Sequence, residues 1–208
     1  MRDLFLYGVP DERFYTDNDY DIPVLDIDKQ ADSCEIPWIK WGTKARSTYL
    51  KSGTVHFYTD DYKFTGIWRS PEKLVNTGVC TAVEVNYSNH DQTPRAVFLE
   101  SLYKKRWLSR FWQKHGILIV VDLFVNPRFA RDNLIGVPSG WRAYCTRYTP
   151  HDHRQVWRDW ELACNHAGTD KILFITYGGG RQGEKFARVI QQPWIIDQSH
   201  ETRVRIYG

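Results

Sequence analysis

Short apolar runs alternate with helical stretches from residue 54 to residue 196, and this alternation constrains the fold more than any other feature of the chain. The clearest run, residues 117–121, reads Ile-Leu-Ile-Val-Val, which is typical of a strand covered on both faces. Strands that are joined by helices in this order pair in parallel through right-handed crossovers. The sequence therefore predicts an α/β domain built on a parallel sheet.

The predicted elements follow from apolar periodicity and from the residues that favour helix ends. Ser70 is a suitable N-cap, and Pro71 would occupy the first helical position, where its missing N–H costs nothing. The predicted helices begin at Ser70 and span residues 94–115, 153–167 and 181–192. The predicted strands span residues 22–25, 54–58, 80–87, 117–125, 141–148, 171–177 and 194–196.

Two architectures fit this alternation, a compact or incomplete TIM-barrel-like domain and an open doubly wound sheet. We favour the barrel-like form, because we identify neither a dinucleotide fingerprint nor a phosphate-loop motif in the sequence. We expect residues 36–208 to form a single α/β domain, because internal repeats and low-complexity tracts are absent from them. Residues 1–35 are predicted to form an irregular acidic N-terminal arm.

Charge is distributed unevenly along the chain. Residues 1–35 carry ten acidic and three basic side chains, whereas the remaining 173 residues carry 25 basic and 15 acidic ones. A basic body favours a polyanionic partner such as nucleic acid. The acidic arm could lie across that body, join the subunits of a homo-oligomer, or remain a solvated segment.

The composition also bears on the cellular compartment and on the partners. No apolar run approaches the roughly 20 residues that span a bilayer, and the four cysteines are widely scattered. We therefore expect a cytoplasmic protein with reduced thiols and no membrane partner. Nine Trp, twelve Tyr and ten Phe make an unusually aromatic chain, so either some rings lie on a binding surface or the core favours rings.

Two segments carry a family resemblance. Residues 55–64 read VHFYTDDYKF and residues 106–113 read RWLSRFWQ. Together with Asn-Tyr-Ser at 86–88 and Gly-Val-Pro at 136–138, they resemble a domain-of-unknown-function family found mainly in phages, plasmids and integrative elements. Asn86 stands where that family tends to have an aspartate. The resemblance implies an accessory protein of a mobile element, located in the host cell cytoplasm if phage-encoded, and it implies no established activity.

Four carboxylates are candidate catalytic groups. In parallel α/β folds the loops after the strands converge on one face, where ligands bind. Asp60 and Asp61 follow a predicted strand, and adjacent carboxylates can hold a divalent cation such as magnesium or act as acid and base. Glu84 and Asp122 lie inside predicted strands, where a charge facing a barrel interior must be paired or ligated. Turn capping, or a hydrogen bond to a neighbouring helix, is the alternative role.

Another candidate is a glycine-rich turn before a predicted helix. The backbone N–H groups of Gly178, Gly179 and Gly180 could bind a phosphate, and Arg181 would add a fork of donors. The alternative is a tight bend that only glycine permits. The other predicted strand ends carry further polar residues, namely Asn86, Ser88, Asn126, Arg128, Arg147 and Tyr177.

The long predicted helix has a basic stripe that suits nucleic acid. Arg106, Arg110 and Lys114 recur every fourth residue, and Tyr103 and Trp107 flank them. Basic side chains interleaved with rings fit phosphates and unstacked bases. The alternative is a solvated basic face whose rings lie along the sheet edge.

Three functions remain open at the level of sequence. The first is a nucleic-acid-binding protein that acts in replication, transfer or host takeover, and it rests on the basic stripe and the basic body. The second is a metal-dependent enzyme that acts on a phosphorylated small molecule or a nucleotide, and it rests on the carboxylates and the glycine turn. The third is a non-catalytic scaffold that binds a host protein.

Overall fold

The computed structural model describes residues 5–6, 8–43, 52–149, 152–198 and 201–207. Two short strands, β1 (Phe5–Leu6) and β2 (Val9–Pro10), form a hairpin near the N-terminus. The main sheet contains β3 (Trp38–Lys40), β4 (Thr54–His56), β5 (Thr81–Val83), β6 (Leu118–Asp122), β7 (Ala143–Tyr148), β8 (Leu173–Gly178), β9 (Trp194–Gln198) and β10 (Glu201–Arg205). The helices are α1 (Glu72–Val75), α2 (Arg95–Lys114), α3 (His153–Ala167) and α4 (Gly180–Val189).

The main sheet is a nearly closed barrel. Its eight strands lie side by side in chain order, from β3 at one edge to β10 at the other. Strands β3 to β9 pair in parallel, and only β10 runs antiparallel to its neighbour β9. Strand β10 also approaches β3, which brings the two edges of the sheet together. The predicted TIM-barrel-like α/β fold is confirmed, and the open doubly wound sheet is excluded.

Local sequence accounts for the best-predicted elements. Ile119, Val120 and Val121 in β6 are fully buried, as the continuous apolar run predicts. Helix α3 has the predicted bounds because the Asp152 carboxylate accepts hydrogen bonds from two backbone N–H groups of its first turn, and because Gly168 ends it at a φ of +68°. No helix in the described part of the chain combines the length and the apolarity that crossing a membrane requires.

The acidic arm lies against the barrel and against α2. The Leu25 N–H donates to the Gly136 carbonyl at 2.8 Å, and the Ala31 N–H donates to the Ile119 carbonyl at 3.1 Å. A side chain at position 136 would meet the carbonyl oxygen of Pro23, so the arm reaches this depth only because residue 136 is glycine. Helix α2 is therefore enclosed between the barrel and the arm.

Several elements differ from the predicted ones. The predicted strand at residues 22–25 is wrong. This segment forms only an isolated bridge, between Thr16 and Pro23. The backbone N–H groups of residues 24 and 25 donate to backbone that belongs to no strand. Strands β3 and β10 are absent from the predicted set. Both lie at an edge of the sheet, and β3 has only three residues, too few for an alternating pattern to identify.

Candidate functional site

A pocket of about 540 Å³ lies at the C-terminal end of the parallel strands. Each strand from β3 to β8 contributes to its wall, either with its last residues or with the loop that follows it. Barrel enzymes bind their ligands at this end, because the loops there can vary without disturbing the barrel. The residues that line the pocket include Lys40, Tyr58, Asp60, Lys63, Asn86, Phe124, Asn126, Arg147, Gln155 and Tyr177.

The pocket wall carries more positive than negative charge. Lys40, Lys63 and Arg147 line it, whereas Asp60 is its only lining carboxylate among the described residues. The Lys63 ammonium lies 2.8 Å from the Asp60 carboxylate, and this hydrogen bond holds the pKa of Asp60 below its ordinary value. The exposed guanidinium of Arg147 lies 5.9 Å from the ring of Phe124. A pocket of this charge favours an anionic ligand.

Stacked aromatic rings close the floor of the pocket. The ring centroids of Tyr58 and Tyr177 are 4.9 Å apart, and the imidazole of His56 lies 4.8 Å from the Tyr177 ring. The Tyr58 hydroxyl donates to a carboxylate oxygen of Asp122 at 2.8 Å. Burial raises the pKa of Tyr58 well above its ordinary value, so the hydroxyl stays protonated and keeps this hydrogen bond. The rings therefore form a fixed, closed floor.

Asp122 lies beneath this floor and is fully buried. Besides Tyr58, its carboxylate accepts hydrogen bonds from the Asn86 amide at 2.9 Å and from the Lys105 ammonium at 3.0 Å. The backbone N–H of Phe124 donates to it as well, at 3.1 Å. A carboxylate with four donors has no free lone pair directed at the pocket. Asp122 positions Tyr58 and Asn86, and does not itself reach a ligand.

Glu84 belongs to the same buried network. Its carboxylate binds the guanidinium of Arg106, accepts from the Ser109 hydroxyl at 3.2 Å and accepts from the Asp122 N–H at 3.2 Å. The network thus joins two carboxylates to two cations, Lys105 and Arg106, so the buried charges compensate each other. Both carboxylates are paired, and their cationic partners, Lys105 and Arg106, lie on α2, which corresponds to the alternative role of a hydrogen bond to a neighbouring helix. Neither is exposed to the pocket.

The adjacent carboxylates Asp60 and Asp61 point to different partners. Asp60 lines the pocket, whereas Asp61 accepts hydrogen bonds from the Ser88 N–H at 3.0 Å and the Ser88 hydroxyl at 2.8 Å. Asp61 thereby ties the loop after β4 to the loop after β5. Among the described residues, no three His, Cys, Asp or Glu side chains are grouped closely enough to hold a metal ion. Magnesium at Asp60 would need its remaining oxygen ligands from water or from a bound phosphate.

The glycine turn follows β8 and begins α4. Gly178 and Gly179 have φ angles of +76° and +78°, and a side chain at position 179 would lie 2.6 Å from the Cβ of Tyr148. Sequence reasoning missed that Gly178, Gly180 and Gly183 have the Gly-x-Gly-x-x-Gly spacing of a dinucleotide fingerprint. A side chain at position 183 would meet the Gly178 carbonyl, so the last glycine allows the helix to pack on the strand. Neither the turn nor Arg181 lines the described pocket, although Tyr177 immediately before it does.

The structure corrects the predicted basic stripe on α2. Arg106 is fully buried, and its guanidinium binds Glu84 and two backbone carbonyls. Trp107 is only 2% exposed, and its indole N–H donates to the Glu12 carbonyl at 2.9 Å. The arm covers Trp107, whereas Arg106 points towards β5 and the loop after β6 and is buried by them. Neither side chain can contact nucleic acid while the arm and the core are in place.

The outer part of the stripe pairs with the acidic arm. The Lys114 ammonium lies 2.6 Å from the Glu12 carboxylate, and Arg110 lies 3.7 Å from Asp26. Tyr103, the remaining member, is half-buried and packs edge-on against Trp68 at 6.2 Å. The arm and the body are thus joined by ion pairs within one chain.

A family model described as a domain of unknown function, DUF4417, matches residues 14–141. The chain belongs to this DUF4417 family. It is 30% identical over 111 residues to the Gene 1 protein of Mycobacterium phage L5, an alignment that covers 51% of this chain and 47% of the phage protein. It is 34% identical over 73 residues to the Gene 1 protein of Mycobacterium phage D29, covering 34% and 27% respectively. The chain spans less than half the length of these curated relatives, and no solved structure matches it.

The DUF4417 match includes the arm from Phe14 onward, and it includes the strands β3 to β6. It therefore contains Lys40, Asp60 and Asn86, whereas Arg147 and Tyr177 lie beyond it. Of the polar strand-end residues predicted from sequence, six line the pocket, namely Asp60, Asn86, Ser88, Asn126, Arg147 and Tyr177. Lys40 was missed because β3 was missed, and the Trp-Ile pair before it is the signal that could have identified that strand.

Proposed function

We propose that this DUF4417 domain binds a phosphate-bearing ligand of nucleotide size in the pocket at the C-terminal end of its barrel. The observation that carries the proposal is the convergence of Lys40, Lys63 and Arg147 on one pocket that has a single lining carboxylate among the described residues. Phosphate groups are recognised by such convergent cations, and a guanidinium can bind two phosphate oxygens at once.

The size and the remaining lining residues fit a nucleotide. A volume of about 540 Å³ falls within the range of small-ligand sites and is far too small for a duplex. The amides of Asn86 and Asn126 can form hydrogen bonds with a base or a sugar. The half-buried ring of Phe124, beside Arg147, offers a face on which a base can stack.

The glycine turn after β8 does not line the pocket, but a ligand that extends past Tyr177 would meet its backbone donors. The turn follows Tyr177, which lines the pocket, and α4 begins at Gly180. Unpaired N–H groups at a helix N-terminus favour phosphate. In barrel enzymes a phosphate is frequently bound by the last loops of the barrel in this manner. The phosphate-binding role predicted for residues 178–181 is retained in this form.

The proposal places a nucleic-acid contact at the barrel mouth and not on α2. A nucleotide can enter the pocket either as a free small molecule or as the unstacked end of a strand. Both sequence-based hypotheses, nucleic-acid binding and action on a nucleotide, therefore lead to the same pocket.

Calorimetric titration with thymidine 3′,5′-bisphosphate at low ionic strength tests this function. We expect binding to the unaltered protein, and at least tenfold weaker binding to Arg147→Ala. The matched control is Arg142→Ala, because Arg142 is also exposed but lies before β7, at the opposite end of the same strand. Equal affinities of the two variants, or no binding to the unaltered protein, would contradict the proposal.

A further inference from the structure

A second groove continues from the pocket along α3. It has a volume of about 520 Å³ and lies between the turns at residues 127–134 and one face of α3. Pro127 and Gln155 line both cavities, so the groove lies next to the pocket. The residues of α3 that line it extend from Gln155 to Asn165, which corresponds to about 15 Å at a rise of about 1.5 Å per residue.

The groove, like the pocket, carries an excess of positive charge. Arg128, Arg131 and Arg158 line it. Among the described lining residues, Glu161 is the carboxylate that is exposed to solvent. The other lining carboxyl, Asp159, is buried, and burial raises its pKa to about 8, so its neutral form predominates at pH 7. The three guanidinium groups therefore dominate the charge of the groove.

The three arginines are held in different ways. Arg128 donates to the Asp91 carbonyl, and Arg158 lies 2.7 Å from the carboxylate of Asp152 with half of its side chain exposed. The side chain of Arg131 is exposed and forms no hydrogen bond or ion pair with the described residues, although its backbone carbonyl accepts from the Leu134 N–H. The Arg131 side chain can thus bind a ligand without first leaving a partner, whereas Arg128 and Arg158 are already oriented by the fold.

We propose that the pocket and the groove together bind a single-stranded nucleic acid, with its terminal nucleotide in the pocket and its following phosphates along α3. This inference rests on the proposed function of the pocket. Successive phosphates of one strand in a duplex are separated by about 3.4 Å along the axis, and in an extended strand they lie further apart. A groove of about 15 Å accommodates more than one phosphate in either case. The groove supplies arginines and few rings, and its contacts are therefore with the backbone and independent of base sequence.

A single strand fits this surface better than a duplex does. The ring floor closes the pocket, so only an end whose base has left the stack can enter it. A duplex end would have to unpair before its terminal nucleotide reached Arg147. Single strands are therefore expected to bind more tightly than duplexes of the same sequence.

The test compares ligands that differ only in length. Thymidine 3′,5′-bisphosphate and an eight-residue thymidylate with phosphates at both ends are titrated calorimetrically at several salt concentrations. We expect the octamer to bind at least tenfold more tightly than the mononucleotide, with a steeper salt dependence. In the double variant Arg131→Ala/Arg158→Ala, the ratio of the two affinities should fall at least fivefold. Arg154→Ala is the matched control, because Arg154 is exposed on α3 but outside the groove.

Each outcome of this test supports or overturns one claim. If the mononucleotide binds but the octamer binds no more tightly, the groove inference fails and the pocket function stands. If the octamer binds and the mononucleotide does not, the pocket function fails. Equal binding of polyglutamate and the octamer would show that the groove is selective for charge alone and would overturn the inference. An intact circular dichroism melt of each variant shows that the fold is retained.

Discussion

Replacing Arg106 with methionine tests whether the basic stripe of α2 lies inside the protein. The substitution removes the guanidinium from a fully buried site and leaves the Glu84 carboxylate with the Ser109 hydroxyl, one backbone N–H and the more distant Lys105 ammonium at 3.9 Å. Removing one partner of a buried ion pair typically costs about 3–5 kcal/mol, because the remaining charge is uncompensated. We expect a loss of unfolding free energy of that size for Arg106→Met.

Lys114→Met provides the matched control on the same helix. Lys114 lies two turns further along the stripe, and its side chain is 55% exposed while pairing with Glu12. Exposed ion pairs contribute about 0–1 kcal/mol, so this variant should be nearly as stable as the unaltered protein. Urea unfolding at 25 °C, with equal slopes for the proteins compared, measures both values. Equal destabilisation by the two substitutions would refute the burial of Arg106.

The double variant Glu84→Gln/Arg106→Met separates the ion pair from packing. Removing both charges eliminates the uncompensated carboxylate, so the double variant should be more stable than Arg106→Met alone. If the loss of unfolding free energy in the double variant equals the sum of the losses in Glu84→Gln and Arg106→Met, the two side chains do not interact.

Three further predictions concern other parts of the structure. Folding raises the pKa of Asp159 from 3.8 to about 8, so the folded state binds this proton more tightly than the unfolded state does. The free energy of unfolding therefore falls as the pH rises from about 4 to about 8. A tenfold change in proton affinity is worth about 1.4 kcal/mol, so the whole loss is on the order of 5 kcal/mol. Asp159→Asn should flatten this dependence in thermal melts between pH 4 and pH 8.5, and an unchanged slope would contradict the burial of the carboxyl. Gly180→Ala should lower the free energy of unfolding by about 1–2 kcal/mol, because residue 180 has a left-handed backbone. Gly179→Ala should lower it by about 1–3 kcal/mol more, because its side chain would also clash with Tyr148. Urea unfolding measures both values. Asp60→Asn should abolish any rise in melting temperature caused by magnesium; a rise that persists would place the metal elsewhere.

Much of the architecture could be predicted from sequence because it depends on local signals. The buried run of β6 and the capped ends of α3 are specified by consecutive residues, and both appear where the pattern predicts them. Strand β3 has only three residues, and β10 has a single apolar residue, Val204. Their short sequences contain no comparable signal.

The site was predictable in its location but not in all of its members. Residues after the predicted strands, such as Asn86 and Arg147, converge as parallel topology requires. The stripe on α2 was misinterpreted, because the spacing of Arg106 and Lys114 shows only that they share a helix face. It does not show that an arm from elsewhere in the chain covers that face, nor that Glu84 lies opposite Arg106.

A crystal structure of the protein with bound thymidine 3′,5′-bisphosphate tests the central claim most directly. We predict electron density for the ligand at the C-terminal end of the barrel, with a phosphate within hydrogen-bonding distance of the Arg147 guanidinium and a base against Phe124. Density for the ligand at the opposite end of the barrel, beside Arg142, or on the outer face of α2, beside Lys114, would contradict it.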